Sequence, residues 1–165
     1  MKKIIAVVLC AAAVLSLGAG AFAGNAVGIY GVWTSSNLIE NGRQYYGTNA
    51  VDWNTSTCWV EGARGYGEDE VIYLEFDGYY NVRSFSIVIG WAVSDQLYRY
   101  NSRPARVCME FSSGDCFIVD FSDNSSVQSF WLPWTVCADW VEITILDVYW
   151  GDCSDTCISE ITFYE

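Results

Sequence analysis

Residues 71–90 read VIYLEFDGYYNVRSFSIVIG. Ile72, Leu74 and Phe76 alternate with Tyr73 and Glu75, and Phe85, Ile87 and Ile89 alternate with Ser84, Ser86 and Val88. A spacing of two sends successive side chains to opposite faces of a strand, so each set predicts a strand with one apolar face. Between them Asp77-Gly78 is a turn signal. The pattern continues outward. Val107, Met109 and Phe111 alternate with Arg106, Cys108 and Glu110, and Phe117, Val119 and Phe121 follow across a turn at Ser113-Gly114. Val141, Ile143 and Ile145 alternate with Glu142 and Thr144, and Ile161 and Phe163 close the series. Asp123-Asn124 and Gly151-Asp152 supply further breaks. No window carries a helical period. Many short antiparallel strands joined by turns predict an all-β sandwich or barrel.

The start of the chain follows a different logic. Lys2 and Lys3 precede an apolar run from Ile4 to Leu17, too short and wrongly flanked for a spanning helix. Ala21-Phe22-Ala23 then gives the small-x-small pattern that signal peptidase reads. The expectation is a signal peptide over 1–23 and a single domain over 24–165, secreted to the extracellular side without membrane insertion. A domain of that length buries about two thirds of its unfolded surface.

Charge and composition narrow the partners. The chain carries a net charge of −12. Both lysines lie in the signal segment, leaving six arginines against twenty acids. Such a surface repels phosphate backbones and anionic lipids, so nucleic acid is excluded as a partner and polyanionic glycans are disfavoured. The chain has no histidine. That removes Ser-His-Asp and Cys-His catalysis and every histidine-ligated metal site. A carboxylate-pair glycosidase is not removed, but among twenty acids some pair is always available. Six cysteines follow the signal segment: Cys58, Cys108, Cys116, Cys137, Cys153 and Cys157. An even number in an exported chain predicts disulfides, with about fifteen full connectivities open. Cys153-x3-Cys157 has the spacing of a zinc half-site but no matching second pair.

Residues 49–62, NAVDWNTSTCWVEG, set Asp52, Asn54 and Thr57 among two tryptophans and a cysteine. Oxygen donors at this spacing suit a hard cation. They equally suit Asx turns, in which Asp and Asn bond their own backbone. Aromatic residues are abundant: eight Trp, eleven Tyr and eight Phe. Most belong to the core, but Trp53, Tyr66, Trp91 and Trp150 fall in loops, where they either stack on sugars or seal the ends of the core.

Four segments together resemble a known family. NAVDWNTSTCWVEGARGYGEDEVIYLEF resembles the first half of a discoidin-like, galactose-binding-type module. GWAVSDQLYRYNSRPARVCMEFSSG and DVYWGDCSDTCISEITFY resemble one branch of it, the glycan-binding domain attached to streptococcal NAD-glycohydrolase. The resemblance runs from about Ser35 to the C-terminus. It implies an antiparallel jelly-roll β-sandwich of about eight strands, carbohydrate binding without catalysis, and an association with toxin translocation into host cells.

The resemblance also assigns residues. It implies a structural calcium held by Asp52, Asn54, Thr57 and Glu160, with main-chain carbonyls near Asn49 and Ser159. One position departs from the pattern, because relatives usually carry Gly where this chain has Trp53. A left-handed backbone there would cost a tryptophan roughly 1–2 kcal/mol. For the sugar, the resemblance points to Trp91, Tyr98, Asn101 and Arg103. Trp91 would stack on the C–H face of a sugar, while the others bond its hydroxyls. The alternative is structural, with Asn101 capping a turn and Arg103 pairing with an acid such as Asp147. The expected partner is a neutral glycan, carried for instance on a host or cell-surface glycoprotein. Two further readings stand beside it: a surface or adhesive protein that binds a protein partner, and a small glycosidase.

Overall fold

Both alternating sets of residues 71–90 lie on one strand, β5 (Val71–Ile89), in the computed structural model, which describes residues 24–165. The signal peptide expected over 1–23 lies outside the described residues. Before β5 come β1 (Ile29–Thr34), a hairpin of β2 (Ile39–Glu40) and β3 (Arg43–Gln44), a 3₁₀ turn (Gly47–Val51) and β4 (Trp59–Val60). After it come α1 (Asp95–Tyr100), β6 (Arg103–Phe111), β7 (Cys116–Asp120), β8 (Gln128–Tyr149) and β9 (Cys157–Tyr164). The strands pair in the order β4-β9-β5-β8-β6-β7, with β1 added to β5 and the β2–β3 hairpin apart. All these pairings are antiparallel.

The Asp77-Gly78 turn signal marks a crossing, not the end of a strand. Residues 71–75 of β5 lie between β1 and the second half of β8, whereas residues 84–87 lie between β9 and the first half of β8. The register breaks between Glu75 and Tyr80. Residues 77–79 are exposed there. β8 does the same. Its Pro133 falls where pairing jumps from Val82–Val136 to Ser84–Trp131, so the missing N–H breaks no ladder bond. Two long strands thus feed both layers of a sandwich. The layers meet at an aromatic centre: Phe85 lies 5.1 Å from Phe130 and 5.7 Å from Phe163, and Phe163 lies 6.0 Å from Phe111 of the facing layer.

The fold is all-β and antiparallel, as the alternation implied, and of the sandwich or barrel that alternation left open it is the sandwich that the family resemblance implied. Every inward residue of that alternation is buried, from Ile72, Leu74 and Phe76 through Val141, Ile143 and Ile145 to Phe163. Full burial of such side chains stabilises the fold by about 1.5–3 kcal/mol each. The short α1 has no counterpart in the sequence reading, because six residues cannot show a helical period. Ser94 caps it, its hydroxyl accepting from Leu97 N–H at 3.2 Å.

Four cysteines lie in two pairs. Cys108 and Cys116 stand on the neighbouring, paired strands β6 and β7 with their Sγ atoms 2.8 Å apart. Cys58 and Cys157 are buried side by side with Val60, under Leu38, Tyr45 and Trp91. Cys137 is exposed, and Cys153 lies beside the Asp155 carboxylate at 3.2 Å.

Candidate functional site

The loops between β3 and β5, between β5 and β6, and between β8 and β9 gather at one end of the sandwich. Short bridges tie them: Gly90 to Ile158, Ser102 to Thr156, and Cys153 N–H to the Tyr100 carbonyl at 2.7 Å. Glu61 works from inside this knot. It is fully buried, and its carboxylate accepts from Ala63 N–H at 2.7 Å and Thr156 N–H at 3.2 Å. Burial pushes its carboxyl above the ordinary value despite these bonds.

Asp52, Asn54, Thr57 and Glu160 converge. Asn54 N–H donates to both carboxylates, to Asp52 Oδ1 at 2.9 Å and to Glu160 Oε2 at 3.1 Å, although Glu160 stands 106 residues away. Thr57 Oγ1 lies 2.7 Å from Asp52 Oδ2 and 2.7 Å from the Asn54 carbonyl. Ser56 N–H donates to Asn54 Oδ1 at 3.1 Å. The Asx turns of the alternative reading are therefore present. Trp53 keeps the left-handed backbone, at φ 62. What the strain achieves is visible: the main-chain N–H groups of Trp53 and Asn54 both reach the Glu160 carboxylate. Burial, and then the charge of Asp52, push the Glu160 carboxyl up to about 7. Two carboxylates, an amide and a hydroxyl converging here fit a hard cation in kind. Among the described residues no cluster of three or more acidic, cysteine or histidine side chains stands ready for a metal. A cation in this loop would therefore rely on neutral and main-chain oxygens for most of its shell.

The four residues expected to meet the sugar fall in two separate places. Trp91 lies against Tyr45, ring centroids 5.7 Å apart and nearly perpendicular, and its Nε1–H donates to the Ser56 carbonyl at 3.3 Å. With Arg43, Gln44, Ser56 and Thr57 these rings wall a hollow of about 250 Å³. Tyr45, Arg43 and Gln44 were missed in the sequence. The signal that finds them is Asn41-Gly42, whose positive φ values of 51 and 77 make the β2–β3 hairpin that delivers all three.

Tyr98, Asn101 and Arg103 form a buried support a short way along the same loop. The Asn101 amide donates to the Leu97 carbonyl at 2.9 Å, closing the end of α1. Arg103 grips Asp123 with two bonds, Nε to Oδ1 at 2.8 Å and Nη2 to Oδ2 at 2.7 Å. The guanidinium sits 4.9 Å over the Tyr98 ring, and the Tyr98 hydroxyl donates to Asp123 at 2.9 Å. Asp147 is not the partner, because the strand register sets Arg106 opposite Asp147 and Arg103 opposite Tyr149. The Arg103 bonds hold the Asp123 carboxyl below its ordinary value. Gly90, at φ +73, is needed here, since a Cβ would stand 2.7 Å from the Tyr98 ring. These groups border a polar hollow of about 370 Å³ with Asp95, Arg99 and Asn124. Arg103 Nη1 also reaches the Trp150 carbonyl at 3.4 Å. Trp150 is 73% exposed, and its ring meets Tyr66 at 5.8 Å.

Comparison with known proteins agrees with this architecture. No curated protein matches the chain in sequence. Among solved structures, the CBM32 module of AlyQ, determined with 4,5-unsaturated mannuronic acid, superposes with a TM-score of 0.60 at 13% identity, over 86% of this chain and 98% of that one. The family 32 carbohydrate-binding module of Clostridium perfringens NanJ, determined with galactose, gives 0.59 at 16% identity over 82% and 93%. The paired CBM32 domains of Clostridium perfringens ZmpB, determined with GalNAc, give 0.65 at 11% identity over 83% of this chain and 33% of that one. At such identities these likenesses establish the shared sandwich fold. The family described as NAD glycohydrolase translocation F5/8 type C domain matches residues 25–164, nearly all of the described chain, and the protein belongs to that family.

Proposed function

We propose that this protein is a secreted, non-catalytic carbohydrate-binding module that holds a neutral glycan in the hollow lined by Trp91 and Tyr45. The observation that carries the reading is that hollow itself. It sets the two aromatic rings beside the Arg43, Gln44 and Ser56 groups, at the loop end of a sandwich shared with carbohydrate-binding modules. Apolar rings take the C–H face of a sugar and nearby donors and acceptors fix its hydroxyls. The Tyr98 hollow is the lesser candidate, because its ring is buried and its guanidinium is already engaged by Asp123. Tyr98, Asn101 and Arg103 then act as the wall behind the loop.

Calcium belongs to this reading as a structural ion. Asp52, Asn54, Thr57 and Glu160 would hold it, and it would relieve the repulsion between the two carboxylates. The same loop carries Ser56 and Thr57 into the Trp91 hollow, so an ion there would stiffen the sugar site without touching the sugar. Export through the segment 1–23 and a host or cell-surface glycoprotein as carrier complete the proposal. A glycan array probed with wild type, Trp91→Ala and Trp150→Ala tests it. Loss of binding in Trp91→Ala alone supports the Trp91 hollow. Loss in Trp150→Ala alone moves the site to the Tyr66–Trp150 pair. No sugar bound at high density favours the adhesive reading.

A further inference from the structure

A second surface lies away from the loop end, on the outer face of the layer made by β1, the first half of β5 and the second half of β8. The pairing sets Trp33, Tyr73 and Glu142 in one row, and Gly31, Glu75 and Trp140 in the next. Aromatic and acidic side chains therefore interleave on three adjacent strands. Trp33 lies down over Gly31, where a Cβ would stand 2.5 Å from the indole. The glycine is what lets the indole rest there, and Trp33 remains 53% exposed. Its ring meets Tyr73 at 5.6 Å, and Tyr73 stacks on Trp140 at 5.4 Å. The face continues into a depression of about 280 Å³ lined by Tyr30, Glu75, Asp77, Tyr79, Asp139 and Trp140.

The character of this face is consistent. Tyr30 and Tyr79 are 76% and 74% exposed, a large aromatic area to leave in water. Every charged group in the depression is an acid. Among the described residues the two ion pairs are Arg103–Asp123 and Arg106–Asp120, so Glu75, Asp77, Asp139 and Glu142 take part in neither. Asp77 and Asp139 accept hydrogen bonds from the phenols of Tyr80 and Tyr79 instead. Burial, and then the charges of Glu75, Asp139 and Glu142, raise the Tyr73 phenol above its ordinary value. A strand face with open rings and surrounding carboxylates matches one side-chain chemistry better than others: a cation that can sit over a ring while its N–H groups reach carboxylates. Arginine does both.

We propose that this face docks a basic segment of a partner protein, with arginine or lysine side chains entering the depression between Tyr30, Tyr79 and Trp140. The surface is separate from the Trp91 hollow, so the module can hold a glycan at its loop end and a protein on its flank at the same time.

Binding of a short oligoarginine peptide, and of a citrulline peptide of equal length, followed by the indole N–H signals in NMR at physiological salt, tests the proposal. Oligoarginine should shift the Trp33 and Trp140 signals and leave Trp91 unmoved, while the uncharged peptide shifts none. Tyr30→Ala, and separately Glu75→Gln with Asp139→Asn, should weaken binding by about tenfold or more. Glu40→Gln with Glu68→Gln, which removes two exposed acids elsewhere, should weaken it less than threefold. An equal loss in both acid pairs would mean diffuse attraction to an acidic protein and would overturn the proposal. So would a neutral oligosaccharide that shifts the same indoles, which would make the face a sugar platform. Should Tyr30→Ala fail to fold, the Glu75 and Asp139 substitutions, both at the surface, still decide the outcome.

Discussion

Asp52 and Glu160 share one hydrogen-bond donor, the main-chain N–H of Asn54. Two carboxylates aimed at one amide repel each other, and burial first, with that repulsion second, raises the Glu160 carboxyl to about 7. A calcium ion bound to the native state alone, at a hundred times its dissociation constant, adds about 2.7 kcal/mol. The melting temperature should therefore fall on chelation and recover with calcium, and Asp52→Ala should lose that response. A chelator without effect on a sample shown to contain calcium would remove the ion from the proposal.

Trp91 is half-buried against Tyr45 and the Cys58–Cys157 cluster, so its removal touches stability as well as binding. Trp91→Ala should cost about 1–2 kcal/mol of stability, less than the 3–5 kcal/mol of a fully buried tryptophan, and leave the variant folded. Glycan binding should drop below detection. Stacking and a few hydrogen bonds in an open hollow give monovalent affinities on the order of 0.1–1 mM. Detection therefore needs a dense array, where avidity multiplies affinity by roughly 10²–10⁴. A folded variant that binds as the wild type does would place the site elsewhere.

The Arg103–Asp123 pair sets an acid limb. Asp123 has a depressed carboxyl, chiefly through the Arg103 hydrogen bonds. A depressed folded-state value means stabilisation that is present above the unfolded value and is lost as pH falls through the folded one. Asp123→Asn should therefore cost about 2–3 kcal/mol at neutral pH, where it leaves a buried guanidinium half-paired. The gap from wild type should narrow as pH falls below the ordinary carboxylate range. Urea titrations at neutral pH and in acid measure it, and a gap independent of pH would contradict the assignment.

In an oxidising compartment the two cysteine pairs should close as Cys58–Cys157 and Cys108–Cys116. Thiol titration of the denatured, non-reduced protein should then find two thiols, Cys137 and Cys153. The chain-entropy estimate gives about 4–5 kcal/mol for a loop of a hundred residues and about 2–3 kcal/mol for one of nine. Cys58→Ser should hence lower stability more than Cys108→Ser. Peptide mapping that joins Cys137 to Cys153 would refute the pairing.

Alternation in the sequence was enough for the fold class and for the inward residues of β5, β6, β7, β8 and β9, because a period of two acts between neighbours along one strand. The grouping of Asp52, Asn54, Thr57 and Glu160 came from the family resemblance and not from alternation. What it could not supply is register, which is settled between strands far apart in the chain. Register put Arg106, not Arg103, opposite Asp147 and left Arg103 to Asp123. The β2–β3 hairpin carried Tyr45 to Trp91, and the loops beside Glu61 carried Tyr66 to Trp150. The pairing of β1, β5 and β8 turned scattered aromatic and acidic residues into one face. Burial of the alternating apolar residues needs only the right kind of residue at every second position. A binding surface needs particular atoms a few ångströms apart, and only the closed sandwich brings them there.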